Sequence, residues 1–247
     1  MDAFAKDVRL ALRRLRRDPL FALVAVVTLA LGIGANVGIF SLLSGVVLRP
    51  LPYAEPDRLV AVWPTQNFNK ELAEGFEATE SLDGVAGLSH WTMSLSGEGE
   101  PELVDVGMVG TDFFDVLGVR AAHGRTFLLE EEDPSVSDVV VLTHGFWQRR
   151  FDGDPDVIGR VIPLEAHGQG TARRVVGVLP ADWRAPWREM DAWVPLHRPP
   201  RTVATDSSWY VNQVIARLAP GVGLDRASAE VRSLAERYRA DFPGLFD

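Results

Sequence analysis

The sequence predicts an α+β protein: one N-terminal transmembrane helix followed by an extracytoplasmic mixed α/β domain of two subdomains. Three observations carry this. Residues 19–48 contain no Asp, Glu, Lys or Arg. As a helix rising ~1.5 Å per residue they measure about 45 Å, against a hydrocarbon core of ~30 Å. Beyond them, alternating apolar runs rich in Val, Ile and Trp are broken by Gly, Pro and Asp, the pattern of short strands. Helical spacing separates some of these strands and ends the chain, where Leu224, Ala227, Val231, Leu234, Ala235 and Tyr238 share one face.

Residues 1–18 place Phe4, Val8, Ala11, Leu12 and Leu15 on a helical face, with Lys6, Arg9, Arg13, Arg14, Arg16 and Arg17 around the rest. A basic amphipathic helix of this kind lies on an anionic membrane surface and binds its lipid. Positive flanks stay in the cytoplasm, which puts the N-terminus there and the rest of the chain outside, in the inner or plasma membrane. Asp18-Pro19 reads as an N-cap with proline at the first helical position. The span, 19–48, stays apolar through Val47, longer than the ~7–15 residues of a cleaved signal core, so an uncleaved helix is expected. Within it Ala30, Gly34, Gly38, Ser41 and Gly45 fall in an arc of about 80° at ~100° per residue. Such a stripe lets another transmembrane helix approach closely. Asn36 lies off the stripe, where a carboxamide in lipid needs a hydrogen-bonding neighbour.

Residues 49–58, with three prolines, form an extended linker, and 59–247 the domain. "RLVAVW" is a strand, 69–83 a short helix, and "WTMSLSG" a strand. Residues 101–119 read as a strand running into a helix with Thr111 as N-cap, "GRTFLLEEEDP" as a solvated acidic loop, and 137–151 as a buried strand followed by a helix. A hairpin with Gly168 and Gly170 between its strands follows, then "DAWVPL" as a short edge element, and "WYVNQVIARL" as another strand.

The chain has a net charge of −9, and its basic residues crowd the N-terminus, which leaves the domain acidic and unsuited to nucleic acid. With no cysteine there is no disulfide and no thiolate chemistry. The five histidines form no metal-ligand spacing, and no nucleophile elbow or phosphate loop occurs outside the span. No catalytic residue, metal or cofactor is expected. Trp183 and Trp187, in "PADWRAPWREMD", are candidates for an exposed contact surface.

"TLALGIGANVGIFSLLSGVVLRPLPYAEPDRLVAVW" closely resembles the first membrane helix and exit linker of MacB/FtsX-like ABC transporter permeases, in the branch often called orphan or duplicated permeases. The agreement continues through "FFDVLGVRAAHGRTFLLEEED", with Gly118, Gly124, Arg125 and Phe127. It extends to the "W-x-R-x-F" helix and "G-x-x-I-x-L" hairpin of "VVVLTHGFWQRRFDGDPDVIGRVIPLEAHG", and to "ARLAPGV". The resemblance implies a mechanical part rather than an enzyme, with a MacB-like periplasmic core of two subdomains. One is βαβ-like, from 59–120 and 205–247, and the other, 121–204, is inserted. It also implies partners: a second permease or further permease spans, a separate ABC ATPase in the cytoplasm and an adaptor protein outside. Relatives carry a closing strand and further spans after the last helix, so the expectation is a fragment, a truncated gene product or one piece of a split permease, with transport by this polypeptide alone not expected. The rival expectation is a membrane-anchored extracytoplasmic binding or scaffold module without transport. If the small-residue stripe is a packing face, Gly38→Cys and Ser41→Cys will cross-link to a neighbouring span in membranes several-fold faster than the off-face Val37→Cys. Equal cross-linking at all three positions is the contrary result.

Overall fold

The computed structural model describes residues 19–46, 53–62, 68–69, 75–97, 100–133, 135, 138–166, 169–185, 188–196, 210–211 and 213–241. The chain divides into two compact units, residues 1–51 and 52–247. In the first, α1 (Pro19–Val46) is one unbroken helix. Its segment Pro19–Ser41 has a mean hydropathy of 2.3 and is long and apolar enough to cross a membrane. Leu20, Phe21, Leu31, Ile33 and Phe40 are exposed along it, as lipid-facing side chains are. Charge-free sequence with Pro19 in the first turn, where its missing N–H costs nothing, accounts for this element.

The second unit is a sheet built from β1 (Leu59–Val62), β3 (Leu82–Leu95), β4 (Glu102–Val109), β5 (His123–Gly124), β6 (Val139–Leu142), β7 (Val161–Ala166), β8 (Gln169–Val178), β9 (Ala192–Pro195) and β11 (Gln213–Leu218). A two-residue pairing of β2 (Phe68–Asn69) with β10 (Tyr210–Val211) lies outside it. Helices α2 (Phe113–Leu117), α3 (His144–Phe151) and α4 (Leu224–Asp241) complete the unit. The order is β1-β11-β3-β4-β9-β6-β8, with β5 on the outer end of β8. β7 pairs with both β8 and β3, so β3-β4-β9-β6-β8-β7 close on themselves as a six-stranded ring.

Alternation fills the ring. Met93 and Leu95, Val104 and Val106, Ala192 and Val194, Val140 and Leu142, Val175 and Val178, and Ile162 and Leu164 form one buried cluster, two residues from each strand. The one irregular spacing, 175 to 178, coincides with a register shift between β6 and β8 at Val140/Val141, so the extra residue is absorbed by a bulge. Six strands leave room for side chains only, and the barrel is a packed core. Phe146 and Trp147 of α3 and Val157 join this cluster. Thr143 caps α3 by accepting a hydrogen bond from the Phe146 amide (3.4 Å).

A second cluster lies over the outer face of β9. Trp193 stacks on Phe113 (5.2 Å between centroids) and meets Phe114 and Trp183 edge-on. A third holds α4 against β1 and β11 through Ala227, Val231, Leu234, Ala235 and Tyr238, with Leu224 left exposed.

Three sequence expectations are corrected here. "DAWVPL" is no edge element: β9 lies between β4 and β6 with all four residues buried. Its brevity and its proline suggested an edge, but Pro195 falls at the strand's end, where no inner ladder bond is lost. Thr111 is not the cap of α2; Asp112 holds that position, and the Thr111 hydroxyl donates to Glu132 instead. The acidic loop is a 3₁₀ turn (Leu129–Glu132) whose Glu131 is buried on the Arg125 guanidinium (2.7 Å) and the Leu128 amide (2.8 Å). The sheet runs through both 59–120 and 121–204, since β9 of the later segment pairs in parallel with β4 of the earlier.

Gly107 faces Trp193 across the β4–β9 ladder, and a Cβ there would collide with the indole Cε3 and Cζ3. Gly107→Ala should lower stability by about 2–3 kcal/mol through overpacking, roughly 5–10 °C in Tm, read by circular dichroism melting.

Candidate functional site: where the chain enters the domain

The densest polar constellation among the described residues is where the linker meets the sheet. Tyr53, half-buried against the aromatic cluster, donates its hydroxyl to the Arg184 carbonyl (2.6 Å). Burial pushes its phenol up to about 12, so it remains a donor at any physiological pH. The Ala54 amide donates to the Leu117 carbonyl at the C-terminus of α2 (3.3 Å). Glu55 is left-handed, at φ 45° and ψ 60°. A non-glycine residue there costs on the order of 1 kcal/mol and persists only if its surroundings hold it.

Two arginines hold it. Arg217 of β11 is 8% exposed. Its Nε and Nη2 donate to the Val116 carbonyl, and its Nη1 donates to the Glu55 carbonyl (3.3 Å). Arg58 reaches the Glu55 carboxylate (2.8 Å), Asp83 (3.1 Å) and, through two nitrogens, the Leu218 carbonyl (2.9 and 2.7 Å). Linker, α2, β3 and β11 are thereby tied at one place. Gly118 caps α2 at φ 70°, and a Cβ on it would strike the Ala54 methyl. Only glycine allows the linker to lie this close. Sequence reading missed Tyr53, Arg58 and Arg217. Arg217 had a visible signal, a lone charge inside the alternation of "QVIARL", which marks a buried cation with a specific partner.

Beside the clamp, Asp112 at the start of α2 is pushed up to about 6 by burial, with Glu77, Glu132 and Asp115 adding repulsion. On the far side of Arg184 a cleft of ≈ 520 Å³ opens between the start of α3 and residues 180–191. Arg149 of α3 crosses it to Asp191 (2.8 Å) and Glu102 (3.3 Å).

Of the sequence candidates, Trp183 is corrected. It is buried at 7% exposure, edge-on to Trp193 and Phe114, because the apolar rim of the aromatic cluster takes the ring. Trp187 lies outside the described residues, as do Lys6, Arg9, Arg13, Arg14, Arg16 and Arg17. Ala30, Gly34, Asn36, Gly38 and Ser41 are exposed on α1, and Gly34 and Gly38 have open space where a Cβ would stand. Gly45 is in the same helix. Gly124 is required as well: at φ 70° its Cβ would strike the Val176 carbonyl.

Residues 22–234 match the family model described as the MacB-like periplasmic core domain. The chain belongs to that family. The family is that of a transporter permease component, and the apolar helix with a domain of this type fits a membrane-anchored protein. The chain is 24% identical, over 93% of its length, to the macrolide export ATP-binding/permease protein MacB of Sodalis glossinidius (strain morsitans), and spans 36% of that protein. The fold matches the periplasmic region of MacB from Actinobacillus actinomycetemcomitans at a TM-score of 0.53 and 17% identity, covering 71% of this chain and 74% of the other. It also matches a domain of a putative permease from Porphyromonas gingivalis at 0.58 and 14% identity, covering 78% and 89%. A third match is the extracellular domain of the noncanonic ABC-type transporter YknZ from Gram-positive bacteria, at 0.53 and 15%, covering 73% and 92%.

A carboxyl raised in the fold binds its proton more tightly there than in the unfolded chain. Asp112 therefore contributes stability that is complete below pH ~3.8 and lost as pH rises through about 6. Asp112→Asn should be more stable than the parent at pH 8 by up to about 3 kcal/mol, with the gap closing near pH 4, in denaturant titrations at the two pH values.

Proposed function

We propose that this chain is the permease-type membrane component, or the N-terminal part of one, of a MacB/FtsX-like ABC exporter. It would relay ATPase-driven motion across the membrane to the outer side. The observation that carries the reading is the clamp at Tyr53–Arg58. A motion of a transmembrane helix reaches an external domain only if the joining chain is fastened to it, and here backbone and guanidinium groups fasten it to three elements at once. The family match supports the reading because it begins inside the span and runs through the domain, so one family model describes helix and domain together. The basic N-terminus supports an orientation with residues 1–18 in the cytoplasm, on lipid and toward an ATPase. The stripe of Ala30, Gly34, Gly38, Ser41 and Gly45 supports packing on a second permease or further spans, with Asn36 bonded to a neighbour. Substrate and any adaptor partner depend on the assembled transporter. In this reading the chain has no catalysis of its own and the ATPase supplies the chemistry.

The two-subdomain division also belongs to this proposal. The α4 cluster supports it, being drawn almost wholly from 59–120 and 205–247. The test uses a fluorophore at the exposed Asp182→Cys, in a chain with no native cysteine, and an acceptor in the lipid. In proteoliposomes reconstituted with an ABC ATPase that binds the chain, ATP should change the energy transfer. Arg217→Gln should cut that change by at least half while ATP turnover persists. No ATP-dependent change in the parent chain would favour an anchored scaffold.

A further inference from the structure

We propose that the β7–β8 hairpin is a flap that swings away from β3 and opens the barrel on one side, a property of the domain independent of any ATPase. β7 pairs with β8 from Val161↔Arg174 to Ala166↔Gln169, but meets β3 only at Ser94↔Glu165 and Leu95↔Leu164. The ring has one other junction as short, β6–β9, with Val141↔Trp193 and Leu142↔Ala192. Pairing alone does not choose between them; packing does.

The β6–β9 junction is covered on both faces, by the barrel interior on one and by the Trp193 cluster on the other. It is braced by the Thr143 amide and hydroxyl on the Asp191 carbonyl (3.0 and 2.9 Å) and by Arg149 on Asp191. The β3–β7 junction has apolar cover on its inner face only. Glu165 is exposed and Ser94 half-buried, and the flanking bonds from Ser96 to the Pro163 carbonyl (3.3 Å) and the Glu165 carboxylate (3.4 Å) are both long. Pro163 has no N–H to give, a residue that sheets confine to edges. β7 is thus the strand of the ring held most weakly on one side, and the seam beside it is where sub-global opening is cheapest. Opening there uncovers Leu95 and Leu164, each 2% exposed when closed.

The absence of native cysteine makes one introduced thiol a clean reporter. In the full chain in lipid nanodiscs under native conditions, Leu164→Cys should react with a thiol reagent at least ~10-fold faster than Val141→Cys at the braced junction. Each rate is normalised to the global stability of its variant. If Leu164→Cys does not fold, Ile162→Cys, on the same strand and in the same cluster, replaces it. Normalised rates that are equal, or faster at Val141→Cys, overturn the flap.

Discussion

The Arg217 guanidinium is the constraint on which the rest of this architecture rests. A buried cation must have its N–H groups satisfied, and those of Arg217 find backbone carbonyls from two other segments, Val116 in α2 and Glu55 in the linker. Hydrogen bonds from a charged donor are worth about 1.5–3 kcal/mol each, against roughly 1 for a neutral pair. Carbonyl acceptors also have fixed positions, whereas an exposed carboxylate moves with its side chain. The Glu55 carboxylate is in fact the lesser partner, at 3.7 Å and largely exposed. Position, rather than charge pairing, is what this arginine provides. It sets where α2 stops, how closely the linker lies on Gly118, and why Glu55 tolerates a left-handed backbone.

The clamp is fastened to a ring whose strands are firmly paired everywhere but at its two short junctions, β3–β7 and β6–β9. Barrel closure supplies stiffness because each ring strand has neighbours on both sides, and the interior is filled by alternate residues with no cavity needed for a ligand. β3 joins the two halves of this arrangement. Its first half pairs with β11, which carries Arg217, and its second half forms the barrel wall with β4. The clamped segment and the ring are therefore joined by one continuous strand rather than by a loop.

Much of this was legible in the sequence and some was not, for reasons that differ by residue. The span, the β6–α3 unit with Thr143 as cap, the β7–β8 hairpin and the apolar face of α4 all follow from local periodicity and capping chemistry. Barrel closure does not, because β3 meets β7 some seventy positions away along the chain, and no local pattern encodes that pairing. β9 was misplaced because four short residues with a proline look the same at an edge and in the middle; only Gly107 opposite Trp193 reveals its neighbour. Trp183 was expected on the surface because arginines and prolines surround it, yet an indole beside an aromatic cluster gains more from burial than its flanks suggest. Of the site, the glycines were noticed through resemblance, and their reasons (Ala54 against Gly118, the Val176 carbonyl against Gly124) exist only in three dimensions.

The relative strengths of clamp and seam decide how such a domain responds to load. The clamp combines the Tyr53, Ala54, Arg58 and Arg217 bonds, several of them charge-assisted and made to acceptors on different elements. The β3–β7 seam has two residue pairs and two long flanking bonds in a single line, which part in sequence. At comparable force the seam yields first, and the linker stays fastened while the barrel changes shape. The two carbonyl-seeking arginines at the entry, against Pro163 and an exposed Glu165 at the seam, make the clamp the stronger of the two attachments.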